Sequence, residues 1–463
     1  MELNDLCGKR VTVMGLGLLG GGVGVARFLA QHGAHVTVTD LKGQAALAGS
    51  VAKLHGLPIT LHLGRHEDAD FTQADTVVVN PAVPPTSPFL AKARAAGVAL
   101  DTEINLFFKL CPAPILGITG SNGKSTTASL THHLLAAAGE HRAWLGGNIG
   151  RSLLEDLADI APDHIVVLEL SSFQLERLES TGLSPAVGVV LNIAPNHLDR
   201  HGTLEAYARA KQPILLHQRP TDTAVLNADC PIVSTWAELG EGRKLAFSLR
   251  QPVPNGAWLA GDRAVWRDRG DTMELFQADD LPLRGAHNVA NALAADAAAV
   301  LCGVPPDAIA PHLRTFRALE HRLEPVRTLD GVGYYNDSKA TTPEAAAVAL
   351  GAFHEPVVLI AGGYDKKLPF DAVGRAVRGR ARAVVLLGAT AQSLSEAIAA
   401  HADVPTQIVA ELAAAVRAAR DIAKPGDAVL LSPACASYDM FANFEERGAE
   451  FKRLVMELPP CGE

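Results

Sequence analysis

The sequence predicts an α/β fold built from three units in series, and three observations predict it. Short apolar runs recur between helical patterns along almost the whole chain. Two of those runs pass through glycine-rich turns into helices, and the last third returns to strand–helix alternation of the doubly wound kind.

In the first hundred residues, Val11–Met14 is a short apolar run ending in glycines, and Val25–Gln31 is helical in pattern. Ala34–Thr39 is a second strand, ending at Asp40. Thr76–Val79 is a further buried strand, stopped by Asn80-Pro81 and the prolines at 84, 85 and 88. A second unit begins near Cys111-Pro112, where Ile115–Ile118 runs into a glycine-rich turn and the helix Ser125–Ala138. Strands follow at Ile165–Leu170 and Ala186–Asn192. Residues 219–285 lose the helical period and carry turn signals such as Pro-Asn-Gly at 254–256, so short strands or an irregular excursion are expected there. The helical period returns at Asn288–Leu301. The third unit opens near Leu319, with strands at Pro356–Ala361, Ala383–Leu387 and Ala428–Leu431. Helical patterns separate them at Phe370–Val377, Ala391–Ala400 and Leu412–Ala423. The expected domains are 1–108, 109–318 and 319–463, with no clear internal repeat.

Composition narrows the class. With 463 residues, 48% hydrophobic and 20% charged, the chain can build several cores and is not disordered. Lys+Arg 41 against Asp+Glu 50 gives a formal charge of −9, without a basic run. A general nucleic-acid or anionic-membrane binder is disfavoured, while a local cationic pocket for a small anion is not. The start, MELNDLCGKR, has no basic segment before a long apolar core, and no apolar run approaches the roughly 18 residues of a membrane span. Cys7, Cys111, Cys230, Cys302, Cys435 and Cys461 are dispersed without a CxxC pair, which reads as reduced thiols and neither a disulfide framework nor a zinc site. A soluble, cytoplasmic, multidomain enzyme is expected.

Two turns carry the chemistry. Gly15-Leu-Gly17-Leu-Leu-Gly20 follows a strand, with Asp40 twenty residues beyond Gly20. Its glycines let backbone approach a diphosphate, the helix start attracts anions, and the acid would meet a ribose. A nicotinamide cofactor, another nucleotide diphosphate and a purely structural turn all fit; a nucleotide diphosphate other than NAD is favoured. Gly21, Gly22 and Gly24 predict a loose helix start or close packing. The second turn, Gly117-Ile-Thr-Gly120-Ser121-Asn122-Gly123-Lys124-Ser125-Thr126, sits between a strand and a helix as a phosphate loop must. Backbone N–H groups would surround phosphates, Lys124 would reach the β and γ oxygens, and Ser125 would face Mg²⁺. The spacing departs from the usual loop, whose first glycine would fall at Ile118. A dehydrogenase needs only the first turn and a simple ATPase only the second. An enzyme that uses ATP to modify a nucleotide-linked substrate needs both.

At this point the chain resembles the Mur ligase superfamily over essentially its whole length. The segments are GITGSNGKSTT (117–127), GGNIG (146–150), LELSSFQLE (168–176), NHLDRH (196–201), YARAK (207–211), GAHNVANALAA (285–295), HR (321–322), NDSKATT (336–342), GGYDKK (362–367) and LSPACASYDMFANFEERG (431–448). SSFQLE, NDSKAT and the last segment point to the D-glutamate-adding branch. The resemblance implies a Rossmann-like N-terminal domain, a central P-loop ATPase-type domain and a Rossmann-like C-terminal domain. It implies a monomeric enzyme joining UDP-N-acetylmuramoyl-L-alanine to D-glutamate in cytoplasmic peptidoglycan precursor synthesis, with ATP split through an acyl phosphate.

The resemblance also implies residue roles. Glu169 and Ser125 would hold Mg²⁺, His197 would ligate or adjoin a second Mg²⁺, and Lys211 would be carbamylated by CO₂. Asn148 and Ser171 fit the muramoyl-alanine end. Gly120 to Thr126 would hold the ATP phosphates, Asn288 and Asn291 its adenine, and Arg322 and Asp337 its phosphate and ribose. Lys339, Thr341, Lys366, Ser437 and Phe444 would line the D-glutamate site. His132 and His133 have no matching role and are expected to pack or face solvent. His201, four residues after His197, suggests a transition-metal pair, but no third ligand is apparent. The first domain departs from the pattern: Leu18, Leu19, Leu41 and Lys42 stand where uracil and diphosphate are expected, and Asn80-Pro81-Ala82 has no glycine. Uracil would therefore be read by backbone groups, with Lys42 as the diphosphate cation. Folylpolyglutamate synthetase lacks a reason for the long first domain, and an NAD-dependent oxidoreductase leaves Lys124 and the third domain unexplained.

Overall fold

The computed structural model describes residues 2–18, 20–149 and 152–460. The chain divides into two compact units, one made of Met1–Asp280 with Ala290–Leu313, the other of Leu281–Val289 with Arg314–Glu463. Among the described residues each unit is built on mainly parallel sheet flanked by helices.

The first unit holds two sheets. One is wholly parallel, in the order Ile59–Leu63, His35–Asp40, Arg10–Met14, Thr76–Val79, Ala99–Asp101. The helix beside it runs over Gly21–Gln31, starting four residues earlier than the apolar period implied. Packing explains this: a Cβ on Gly22 would lie 2.4 Å from the Leu16 carbonyl oxygen, and one on Gly24 would lie 3.1 Å from Ser152 Cβ. The glycines let the helix approach its own turn and the neighbouring segment.

The second sheet has the order Thr272–Gln277, Arg263–Arg267, Gly256–Ala260, Arg243–Ser248, Thr223–Asn227, Val187–Val190, Ile115–Thr119, Ile165–Glu169, Ala143–Gly147. Its central strands are buried on both faces, so Ile115–Thr119 and Ile165–Glu169 are apolar runs without alternation. The stretch 219–285 resolves into strands that extend this sheet. Its first members pair in parallel, and Gly256–Ala260, Arg263–Arg267 and Thr272–Gln277 form an antiparallel meander.

The second unit carries a sheet in the order Glu324–Leu329, Val332–Asn336, Ala428–Leu431, Val357–Gly362, Ala381–Leu387, Thr406–Ile408. Only the first pair is antiparallel. One core, with Leu350, Val373 and Leu394, packs helices Pro343–Leu350, Asp371–Val377 and Ala391–His401 on one face. Another, with Val416, Phe451 and Val455, packs Leu412–Ile422 and Phe444–Met456 on the other. In open α/β sheets, ligands bind beyond the carboxyl ends of the strands. Lys124 and Glu169 in the first unit, and Asp337, Lys366 and Ser437 in the second, lie at or just after such strand ends.

Candidate active site

Strand Ile115–Thr119 delivers the phosphate loop, and helix Lys124–Ala138 leaves it. Gly123 takes the left-handed conformation, φ 88°, at the helix N-cap. A Cβ there would fall 2.2 Å from Asn291 Oδ1, so the asparagine of the later helix packs directly on the loop. Lys124 folds over the loop, its Nζ donating to the carbonyls of Gly120 at 2.8 Å and Ser121 at 3.1 Å. Ser121 is tied to Ala194 in both directions: its hydroxyl donates to the carbonyl at 3.0 Å and accepts from the amide at 2.9 Å. Asn122 exchanges hydrogen bonds with the Asn192 side chain. Ser125 and Thr126 are buried in the first helical turn.

Glu169 ends the next strand, 2% exposed. Its Oε1 accepts from Asn148 Nδ2 at 2.9 Å, whereas its Oε2 is buried with no hydrogen-bond partner. A buried carboxylate oxygen left without a donor is costly, and a divalent cation would satisfy it. Glu169 is not a helix cap: Ser171 takes that place, in a reciprocal capping box with Gln174. Asn148 spends its amide on Glu169.

Lys211 is not a solvated helix lysine. It falls between the short helices Leu204–Arg209 and Pro213–Leu216 and is 1% exposed. Its ammonium donates to the Thr119 hydroxyl at 3.1 Å and sits 4.9 Å from the Tyr207 ring centroid. Burial pushes its pKa well below the usual lysine value; the Lys124 charge adds to this and Glu169 opposes it. Thr119 and Tyr207 were missed from sequence. The i, i+4 spacing of Tyr207 and Lys211 was the available signal.

His197 adopts φ 52° at the start of Leu198–His201, its ring packed edge-on to Phe173 with centroids 5.1 Å apart. Desolvation, then the Lys124 charge, lowers its pKa. His201 stacks on Phe173 at 5.3 Å, and its Nε2 meets the Ser172 hydroxyl at 3.1 Å. Among the described residues no cluster of three or more His, Cys, Asp or Glu side chains forms a metal site. His132 and His133 are half-buried against the carbonyls of Ala143 and His312.

At the first glycine turn, Gly15, Gly17 and Gly20 all have positive φ. Asp40 is committed to backbone: Oδ2 accepts from Gly17 N at 3.1 Å and Oδ1 from Lys42 N at 2.9 Å. Both carboxylate oxygens thus serve to shape the turn. Asn80 closes it from the other side, donating to the Gly15 carbonyl. Leu18 and Leu41 are exposed beside it. Leu19 lies outside the described residues, as does Gly150 of the GGNIG segment.

In the second unit Asp337 follows strand Val332–Asn336, accepting from Leu323 N at 3.2 Å and the Ser432 hydroxyl at 2.8 Å. Burial raises its pKa to about 7, against those two bonds and the charge of Arg322. The candidate amino-acid residues gather at the carboxyl ends of adjacent strands. Lys339 Nζ lies 5.3 Å from the Phe444 ring centroid, and Lys366 Nζ donates to the Thr341 carbonyl at 3.4 Å. Ser437 is buried nearby in the chain after Ala428–Leu431. Asn288 is buried and donates to the Arg284 carbonyl at 2.8 Å.

Comparison with known proteins gives matches along the chain. The family model of the Mur ligase middle domain matches residues 118–299, that of the Mur ligase glutamate ligase domain 321–435, and that of the MurD-like N-terminal domain 9–101. A UDP-N-acetylmuramoylalanine–D-glutamate ligase of Roseiflexus sp. (strain RS-1) is 49% identical, over 97% of this chain and 99% of its own. Its counterpart from Symbiobacterium thermophilum is 42% identical, over 97% and 98%. Among solved structures, the UDP-N-acetylmuramate–alanine ligase of Thermotoga maritima aligns with a TM-score of 0.63 at 17% identity, over 97% of this chain and 99% of that one, a likeness of fold. The chain belongs to the UDP-N-acetylmuramoylalanine–D-glutamate ligases of the Mur ligase family.

Proposed function

We propose that the chain is an ADP-forming amide ligase that adds D-glutamate to UDP-N-acetylmuramoyl-L-alanine in cytoplasmic peptidoglycan precursor synthesis, acting as a monomer. Residues 1–108 form the UDP-sugar domain in this reading, 109–318 the ATP domain, and 319–463 the domain that takes the amino acid and closes over ATP. The observation that carries the reading is the polar set gathered around strand Ile115–Thr119. It comprises Lys124 on its loop, Lys211 buried on Thr119, and Glu169 with an oxygen that lacks a donor.

A carboxylate is a poor acyl donor. Its oxygen attacks the γ-phosphorus of ATP, ADP leaves, and the acyl phosphate that results has a good leaving group. The amine of D-glutamate then attacks the carbonyl carbon and gives up a proton to solvent, and the C–O bond breaks as phosphate departs with its electron pair. Lys124 neutralises charge on the transferring phosphoryl group, and the loop amides orient it. Mg²⁺, which Ser125, Glu169, His197 and a carbamylated Lys211 would hold at two sites, supplies further neutralisation of phosphate charge. Asn148 and Ser171 face the muramoyl-alanine end, and Leu18, Lys42 and the turn amides face the UDP group. Asn288, Asn291, Arg322 and Asp337 complete the ATP contacts. Lys339, Thr341, Lys366, Ser437 and Phe444 receive D-glutamate.

The test is phosphate release from ATP with UDP-N-acetylmuramoyl-L-alanine and each of several amino acids, D- and L-glutamate included. Turnover is expected with D-glutamate alone. With the amino acid withheld, hydroxylamine should trap an acyl phosphate. Turnover that needs no UDP-sugar, or a preference for another amino acid, would overturn the assignment.

A further inference from the structure

The second unit buries one cation that no role so far accounts for. Arg447, in the first turn of helix Phe444–Met456, is 2% exposed, and no carboxylate among the described residues pairs with it. Three of the five N–H groups of a guanidinium are placed on neutral acceptors. Nε donates to the Ser338 hydroxyl at 3.0 Å, Nη2 to the Ser338 carbonyl at 2.9 Å, and Nη1 to the Ala436 carbonyl at 3.2 Å. The Ala436 carbonyl also accepts from Tyr364 N at 2.9 Å. A Cβ on Gly363 would fall 2.3 Å from the Ala436 carbonyl oxygen and 3.2 Å from Nη1, so that glycine leaves room first for the carbonyl and then for the guanidinium it accepts from.

These partners belong to the turns after Val332–Asn336, Ala428–Leu431 and Val357–Gly362, three strands adjacent in the sheet. Each turn carries residues assigned above to the amino acid: Lys339 and Thr341 follow Ser338, Ser437 follows Ala436, and Lys366 follows Tyr364. The Ser338 hydroxyl passes the tie on, donating to the Phe444 carbonyl at 2.8 Å. Buried cations are ordinarily paired with an acid. One held by carbonyls and a hydroxyl, with no carboxylate in contact, has its positive charge opposed only from a distance, by Asp439. That field reaches the cluster: together with burial, the Arg447 charge lowers the pKa of Lys366.

We propose that Arg447 is a positioning residue for the amino-acid subsite, clasping two of the three turns directly and the third through the Ala436 carbonyl, and supplying a buried positive charge that favours a dicarboxylate amino acid. The inference rests on the function proposed above and adds to it a residue that would not touch the substrate. Neutral glutamine at this position keeps amide donors but loses the charge, while lysine keeps the charge but loses the fork.

The test compares R447Q, R447K and the unsubstituted protein by steady-state kinetics, varying each substrate in turn. R447Q should raise KM for D-glutamate by about tenfold or more, with KM for ATP and for the UDP-sugar within about twofold of the parent. R447K should recover part of the loss. An unchanged D-glutamate KM in R447Q, or equal losses toward all three substrates, would overturn the proposal. Should R447Q fail to fold, S338A removes one of the three bonds and should raise the same KM selectively; no change there would also overturn it. Loss of D-glutamate turnover in the unsubstituted protein would instead fell the ligase assignment itself.

Discussion

Lys211 and Thr119 stand 92 residues apart in sequence and meet at 3.1 Å beneath the phosphate loop, both buried. A lysine in that position has lost its hydration and feels the charge of Lys124, so its amine holds a proton far less tightly than usual. Neutral amine is the form that reacts with CO₂. Beside Mg²⁺ an ammonium would be repelled, by a few kcal/mol per close pair at an effective dielectric of about 20. A carbamate replaces that charge with oxygens. Lys211→Ala should therefore be nearly inactive, and formate or acetate should partly restore turnover in a concentration-dependent way. Lys124→Ala should lose ATP-dependent ligation with its fold intact and show no such rescue. Full activity in Lys211→Ala would show the residue to be structural.

Gly123 is a second point of tension. At φ 88° any side chain costs about 1 to 3 kcal/mol in backbone strain, and the new Cβ would collide with Asn291 Oδ1 and approach Leu191. Gly123→Ala should displace Asn291 from the loop and weaken ATP binding by about tenfold or more, read by calorimetry against the parent. Unaltered ATP affinity would mean that the loop and Asn291 are not coupled.

The first glycine turn is predicted to refuse NAD. Asp40 directs one lone pair of each carboxylate oxygen to the amides of Gly17 and Lys42, so its orientation is set by the turn and not by a ribose diol. Titration with NAD should show no binding in the micromolar range, while UDP-N-acetylmuramoyl-L-alanine should bind. Asp40→Ala should release both amides and raise KM for the UDP-sugar, leaving KM for ATP unchanged. Tight NAD binding without UDP-sugar binding would reverse the assignment.

Much of this was legible in sequence because buried parallel strands are unbroken apolar runs and phosphate turns are contiguous. Val11–Met14, Thr76–Val79 and Ala428–Leu431 fall within a residue of the observed strands. Most of what escaped lay at sheet edges, the interior strand Val332–Asn336 being an exception. Thr406–Ile408 is exposed at every residue and shows no apolar run, while Ile59–Leu63 has no fully buried position and carries only the short alternation of Ile59, Leu61 and Leu63. Candidate site residues inside motifs were visible as motifs. Those defined by a long-range contact were not: Thr119 is an unremarked strand end until Lys211 arrives, and Arg447 is one arginine in a charged helix start until its guanidinium proves buried.

Asp337 gives a pH dependence with a definite sign. In the fold its carboxyl holds a proton up to about pH 7, mainly because burial penalises the charge. In the unfolded chain it ionises near pH 4, as an ordinary aspartate does at about 3.9. Between those limits the folded state binds more protons than the unfolded one, so its contribution to stability is full below the unfolded pKa and falls as pH rises through about 7. Asp337→Asn keeps an acceptor for Leu323 N and a donor for the Ser432 hydroxyl, the two partners seen here, but cannot ionise. The variant should lose this part of the pH slope and gain on the parent as pH is raised from about 5 to about 8. Urea midpoints of parent and variant across that range provide the comparison. Parallel profiles would mean that Asp337 is ionised in the fold throughout, and that Arg322 outweighs its burial.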